Sequence, residues 1–376
     1  MKKLFILAIV FFSNQLLAQE RVRDYGIETG VFKTGKNNAI TDVEGVKVGH
    51  VTLIEGDDIR TGVTAIIPHD GNIFRKKVPA AIYVGNGFGK LAGYTQVKEL
   101  GNIETPVILT NTLSIAAGLE ALISYTLAQE GNSGVSSVNG IVGETNDGGL
   151  NNIRTRVIKP EHVLMAIENA KDGKVEEGCV GAGTGTICFG FKGGIGTSSR
   201  VLPESLGGYT VGVLVQSNYG GVLEIAGVQA GQLLDKFDYK NDISQHADGS
   251  CMMVVITDAP MTSRNLERLA KRAMLGLAKT GGIASNGSGD YVIALSVAKE
   301  NLIDESSDFY MPKELHNASV SPLFLATIEA TEEALLNSLF VAKTMKGYKG
   351  RVVEELPVEK IIDAVRSNQT KEAGKF

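Results

Sequence analysis

Six apolar residues in a row, Cys251 to Ile256 in "DGSCMMVVITDAP", constrain this chain more than any other stretch. A run of that length, rich in β-branched residues and closed by Asp258 and Pro260, reads as a buried strand. A buried strand belongs to a sheet that other layers cover. The rest of the chain agrees. Strand patterns at 46–53, 62–68, 80–86, 105–111, 137–145, 181–202, 209–221 and 290–298 are interleaved with helical ones. The helices are expected at 112–129, 160–173, 222–236, 262–281 and 358–367, with a long amphipathic one at 321–345. Such mixed order suits layered sheets covered by helices, so residues 20–376 read as one α/β unit without repeats or a linker. The 45 glycines have no Gly-X-Y period. They belong to tight turns and close backbone contacts.

Several function classes are disfavoured by the same sequence. The net charge is −5, with both signs scattered, and no basic block points to nucleic acid. The five histidines show neither H-x-H nor H-E-x-x-H spacing, so a zinc site has no support. His246 reads as a solvated loop histidine. Three cysteines, Cys179, Cys188 and Cys251, make no even disulfide set and are expected to pack as small apolar groups. "GNGFGK" and "GAGTGT" fail the G-x-G-x-x-G and P-loop spacings. No G-x-S-x-G elbow nominates a serine.

Lys2 and Lys3, an apolar run from Leu4 to Phe12 and the small Ala18 form a secretory signal over residues 1–18. Later stretches fall short of the 18 or so apolar residues that a span needs. The mature chain is therefore expected to be periplasmic or secreted and free of the membrane. Amino-terminal sequencing, which should begin near Gln19, checks this.

Gly249-Ser250 stands directly before the buried run. One reading is a loop giving way to a strand. The other is a bond meant to break, with Ser250 left as a new amino terminus. A terminal serine carries its own base, because an α-amine has a pKa of about 7.7–8 and can take the hydroxyl proton. Gly249 would favour the cut by permitting a strained turn.

"VGNGFGKLAG", "GETNDGGLN", "GAGTGTICFGFKGGIGTSSR", "VLVQSNYG", "DGSCMMVVITDAP" and "SNGSGDYVIALS" follow one another in that order. Together they resemble the self-processing serine aminopeptidases of the L-aminopeptidase/D-esterase and β-peptidyl aminopeptidase type. The resemblance covers about residues 25–370. It implies a four-layer αββα sandwich, like that of N-terminal-nucleophile hydrolases but differently connected. It makes Ser250 the processing serine and nucleophile, Asn218 the oxyanion donor, and Ser288 and Asp290 the assisting pair. Glu144 in "GETND" would bind the substrate's ammonium group. The products of the cut would be a larger chain, 19–249, and a smaller one, 250–376, assembled as a tetramer of processed heterodimers. Substrates would be short peptides, amides or esters with a small L-, D- or β-amino residue in front, and no metal or organic cofactor is implied. Two other readings stay open. One is an acyltransferase of the ornithine-acetyltransferase fold group, whose threonine nucleophile and biosynthetic role fit Ser250 and the signal poorly. The other is a binding protein that kept the fold without the chemistry.

Overall fold

The computed structural model describes residues 20–240 and 248–373. The signal segment and His246 lie outside them. In chain order come β1 (Lys47–Glu55), β2 (Ile59–Ile67), β3 (Lys76–Gly87) and β4 (Leu91–Ala92). Then follow α1 (Tyr94–Leu100), β5 (Asn102–Ile103), β6 (Val107–Asn111), α2 (Ile115–Leu127), β7 (Ile141–Thr145) and α3 (Pro160–Glu168). The glycine-rich stretch holds β8 (Ile187–Cys188), β9 (Phe191–Lys192) and β10 (Ile195–Val201). β11 (Thr210–Asn218), α4 (Ala230–Leu233), β12 (Asp248–Thr257), α5 (Ser263–Lys279) and β13 (Gly287–Ser296) lead on to β14 (Ile303–Asp304), α6 (Ser321–Phe340) and α7 (Val358–Ala373).

One sheet has the order β1-β2-β6-β7-β4. The other has β10-β11-β12-β13-β3-β14, with β5 also paired to β3. β12 shows why two sheets and two helix layers form. Successive side chains of a strand point to opposite faces. Met252, Val254 and Ile256 meet Leu109, Ile141 and Ile66 in the core between the sheets. Cys251, Met253 and Val255 face the other way, against Leu266 and Leu269 of α5 and Leu323 and Ala330 of α6. Each fully buried side chain of this size contributes roughly 1.5–3 kcal/mol. On the far side, Leu122 of α2 and Val163 of α3 cover Val63, Ile108 and Val142. The expected four-layer αββα sandwich is the result.

Three local expectations change, and one short helix is new. β12 starts at Asp248, so Gly249 and Ser250 lie inside the strand and not in a loop before it. β13 pairs with both of them, and β11 reaches as far as Ser250. Of the helix expected at 222–236, only Ala230–Leu233 forms. Gly221, Ala226 and Gly227 have φ values of 140°, 49° and 78°, which a right-handed helix does not admit. α1, seven residues closed by Gly101, is too short to display a period.

Nor is α6 amphipathic. It is buried around nearly its whole surface, Glu329, Glu333 and Asn337 included. Arg200 Nε lies 3.1 Å from Glu329 and Nη2 lies 2.7 Å from Glu333, while Arg23 lies 2.7 Å from Glu333. Its glutamates form an internal ion-pair network, as a buried charge requires.

Candidate active site

Strand register assembles the site from three distant segments. Ser250 of β12 stands opposite Asn218 of β11 on one side and Gly289 of β13 on the other. Gly249 pairs with Ser288, and Cys251 with Asp290. Gly249 is required by space. A Cβ there would lie 2.8 Å from the Tyr219 Cα and 3.1 Å from the Asn218 carbonyl oxygen. Its φ lies outside the left-handed region, so the strained turn expected at this bond is not present. The glycine serves close strand approach instead.

Ser250 is buried to 5% exposure. Its hydroxyl donates to the carbonyl oxygen of Gly249 at 2.5 Å, across the peptide bond that a self-cut would break. The Gly289 N–H approaches the Ser250 Oγ at 3.4 Å. The Asn218 side chain has a fixed orientation. Its Oδ1 accepts the Ile187 N–H at 2.9 Å. A backbone N–H bonds to oxygen and not to an amide nitrogen, so Nδ2 and its two donors take the other side.

Glu144 is buried at the end of β7. Its Oε1 accepts the Lys90 N–H at 2.9 Å, and its Oε2 accepts the Thr112 hydroxyl. A carboxylate has about four acceptor positions, so capacity remains for an ammonium group. Ser250, Gly249, Asn218 and Glu144 all line one cavity of about 510 Å³, along with Phe88, Ile187 and Tyr219.

Ser288 and Asp290 lie on β13, the strand beside Ser250. The Ser288 hydroxyl donates to Asp290 Oδ1 at 2.8 Å. The β13 group at the Ser250 hydroxyl is the Gly289 N–H, not either of these side chains. The Asp290 carboxylate sits on the Cys251 face of the sheet, beside the Cys251 backbone. Its Oδ2 is buried and has no hydrogen-bond partner among the described residues. Burial raises its pKa from 3.8 to about 6, against the opposing effect of the Ser288 and Cys251 bonds.

Residues 38–353 match peptidase family S58. The chain belongs to that family. It is 40% identical over 358 residues to the beta-peptidyl aminopeptidase BapA of Sphingosinicella microcystinivorans, covering 90% of this chain and 89% of the relative. The beta-aminopeptidase structure from Burkholderia sp. superposes with a TM-score of 0.85 at 39% identity, over 93% of this chain and 99% of that one. The L-aminopeptidase D-Ala-esterase/amidase of Ochrobactrum anthropi, described as a variant of the Ntn-hydrolase fold, gives 0.85 at 34% identity with the same coverage. This S58 chain is a serine aminopeptidase, a hydrolase with an αββα fold of the Ntn-hydrolase type.

Sequence reading missed several supports of the S58 site. The Asn86 side-chain amide clamps the turn before β13. It donates to the carbonyls of Ser285 at 2.9 Å, Asn286 at 3.2 Å and Ser288. Its signal was there in "VGNGFGK", whose asparagine stands between two glycines at a strand end. Thr112 and Ile187 gave no such signal, since one holds Glu144 from a different segment and the other acts through its backbone.

Asp290 yields a pH prediction, made for the Ser250→Ala chain so that a cut at Gly249–Ser250, should one occur, does not intervene. An Asp with a folded pKa near 6 and an unfolded pKa of 3.8 holds its proton more tightly when folded. Stability therefore falls as pH rises from 3.8 to 6, by about 3 kcal/mol, and stays lower above that range. Asp290→Asn in the Ser250→Ala background should gain about that much on its parent between pH 4 and pH 8. Urea unfolding of both chains at the two pH values measures it. Parallel pH dependences would disprove the assignment.

Proposed function

We propose that this S58 peptidase cuts its own Gly249–Ser250 bond and then releases the amino-terminal residue of short peptides, amides or esters through an acyl-enzyme on Ser250. One observation carries the reading: a single cavity is lined by the Ser250 hydroxyl, the Asn218 amide and the Glu144 carboxylate. Those are a nucleophile, an oxyanion donor and an ammonium acceptor, the three parts that aminopeptidase chemistry needs.

In the self-cut the Ser250 oxygen bonds to the Gly249 carbonyl carbon and the C–N bond breaks. The hydroxyl proton ends on the freed amine. Water then hydrolyses the ester, leaving a Gly249 carboxylate and a free Ser250. In catalysis the Ser250 α-amine takes the hydroxyl proton as Oγ attacks the substrate carbonyl. Asn218 Nδ2 donates to the developing oxyanion. The proton passes to the leaving amine, and water releases the acyl group. The ammonium that forms as the amine takes the hydroxyl proton would have as its counter-charge the Asp290 carboxylate, whose Oδ2 has no hydrogen-bond partner among the described residues. β-Amino residues come first among the proposed substrates, because the Sphingosinicella and Burkholderia relatives carry that activity in their names. Small L- and D-residues follow, in line with the Ochrobactrum relative. The signal pattern over residues 1–18 supports work outside the cytoplasm.

Acetylating the substrate's amine tests the reading, with p-nitroanilides of L-, D- and β-amino residues as the panel. Turnover should collapse on the acetylated members. Glu144→Gln should raise KM about 10–100-fold on the free amines, the worth of a charged hydrogen bond. Equal rates with and without the acetyl group would overturn recognition of the amine. An unchanged KM in Glu144→Gln would move that recognition to another residue.

A further inference from the structure

Lys192 is fully buried in β9, behind the wall of the cavity. Its ammonium donates to three backbone carbonyls: Gly183 at 3.0 Å, Thr186 at 2.9 Å and Gly193 at 2.6 Å. All three acceptors are uncharged backbone oxygens. A charge held this way is costly, and a neutral core would be the cheaper solution for folding alone.

The second of those bonds leads to the site. The Thr186 carbonyl and the Ile187 N–H belong to one planar peptide group. Lys192 holds its oxygen, and its N–H donates to Asn218 Oδ1 at 2.9 Å. The Gly193 N–H adds a second bond to the same oxygen at 3.2 Å. The chain of donors runs in one direction, from the ammonium through the peptide to the Asn218 amide, and ends on Nδ2 at the cavity. Bonds aligned in this way polarise one another, by ~10–30% each.

We infer that Lys192 is a positioning residue for the reaction: its buried ammonium fixes and polarises the Thr186–Ile187 peptide, which in turn holds the Asn218 amide with Nδ2 toward the reacting carbonyl. This rests on the reading of Asn218 as the oxyanion donor. It gives the glycine-rich segment a task. Gly183 and Gly193 supply two of the three carbonyls, and neither position has room for a side chain. At Gly193 a Cβ would lie 2.6 Å from the Ser217 carbonyl oxygen, and at Gly183 one would lie 2.3 Å from the Ile195 nitrogen.

A double-mutant cycle tests it. Lys192→Met and Asn218→Ala are made singly and together, and kcat and KM are measured per active site titrated with a serine-directed acylating reagent. Lys192→Met should lower kcat roughly 10-fold, within the range for directly coupled groups, and leave KM within about twofold. In the Asn218→Ala background the same change should cost less than about twofold, because the group it acts through is gone. Lys192→Gln, which keeps neutral donors, should fall between wild type and Lys192→Met, and it takes over the cycle if the methionine variant does not fold. Losses that multiply in the double variant would overturn the inference and leave the Asn218 role standing, as would a rise in KM with kcat intact. An unchanged kcat in Asn218→Ala would overturn the oxyanion role, and the inference with it.

Discussion

Ser250→Ala is expected to give one uncut chain with no aminopeptidase activity, while the wild type runs as two fragments on a denaturing gel. With export cleavage after Ala18, the fragments span residues 19–249 and 250–376. The substitution removes two things together. Without the hydroxyl nothing attacks the Gly249 carbonyl carbon, whose oxygen lies 2.5 Å from Oγ. Without the cut no free amine forms, so the base is lost with the nucleophile. Removing such a nucleophile costs about 10⁶ in kcat in a well-studied serine protease, and the loss here should be of that order. The fold should survive. Backbone pairing of β12 with β11 and β13 does not involve the hydroxyl, and one lost hydrogen bond is worth only ~1 kcal/mol. Ser250→Cys should still cut, since a thiol can make the same acyl shift. A wild type that stays one full-length chain yet hydrolyses peptides would rule out the terminal-serine mechanism.

The two halves of the site were legible to different degrees. β12 could be read because both its faces are buried, so its apolar run is unbroken. The segments carrying Asn218, Ser250, Ser288 and Asp290 could be singled out, but that they stand side by side is a matter of register. Asn218 and Ser250 are paired by an antiparallel ladder that no local pattern announces. The misread helix follows the same logic. Glu329 and Glu333 look like a solvent face until Arg200 and Arg23 arrive from remote segments to neutralise them. Gly249 was chosen for a reason that sequence could not supply, since the backbone it must avoid belongs to Asn218 and Tyr219. Backbone groups are the extreme case. The Ile187 N–H that orients Asn218 has no residue type to betray it.

Asn218→Ala is expected to lower kcat by about 10²–10³ while KM moves little, the signature of a donor that acts mainly in the transition state. The geometry says why the loss falls on kcat. Asn218 Oδ1 is already committed to Ile187 at 2.9 Å, so the side chain does not have to turn when charge develops. Its Nδ2 donors are free to strengthen as the substrate oxygen becomes an oxyanion, and a ground-state carbonyl gains less from them. Asn218→Asp sharpens the test. An aspartate keeps the size and can still accept the Ile187 N–H, but it replaces the two donors with a negative charge facing the oxyanion. It should lose more activity than alanine does, despite being the closer isostere. Both variants need active-site titration, because the same amide also borders the Gly249–Ser250 bond and its loss can slow the cut. If both variants keep the wild-type kcat once processed, Asn218 is a strand-end residue that only ties β11 to the Ile187 loop. If aspartate is as active as asparagine while alanine is not, the side chain matters through the bond at Oδ1, and the oxyanion donor lies elsewhere in the cavity.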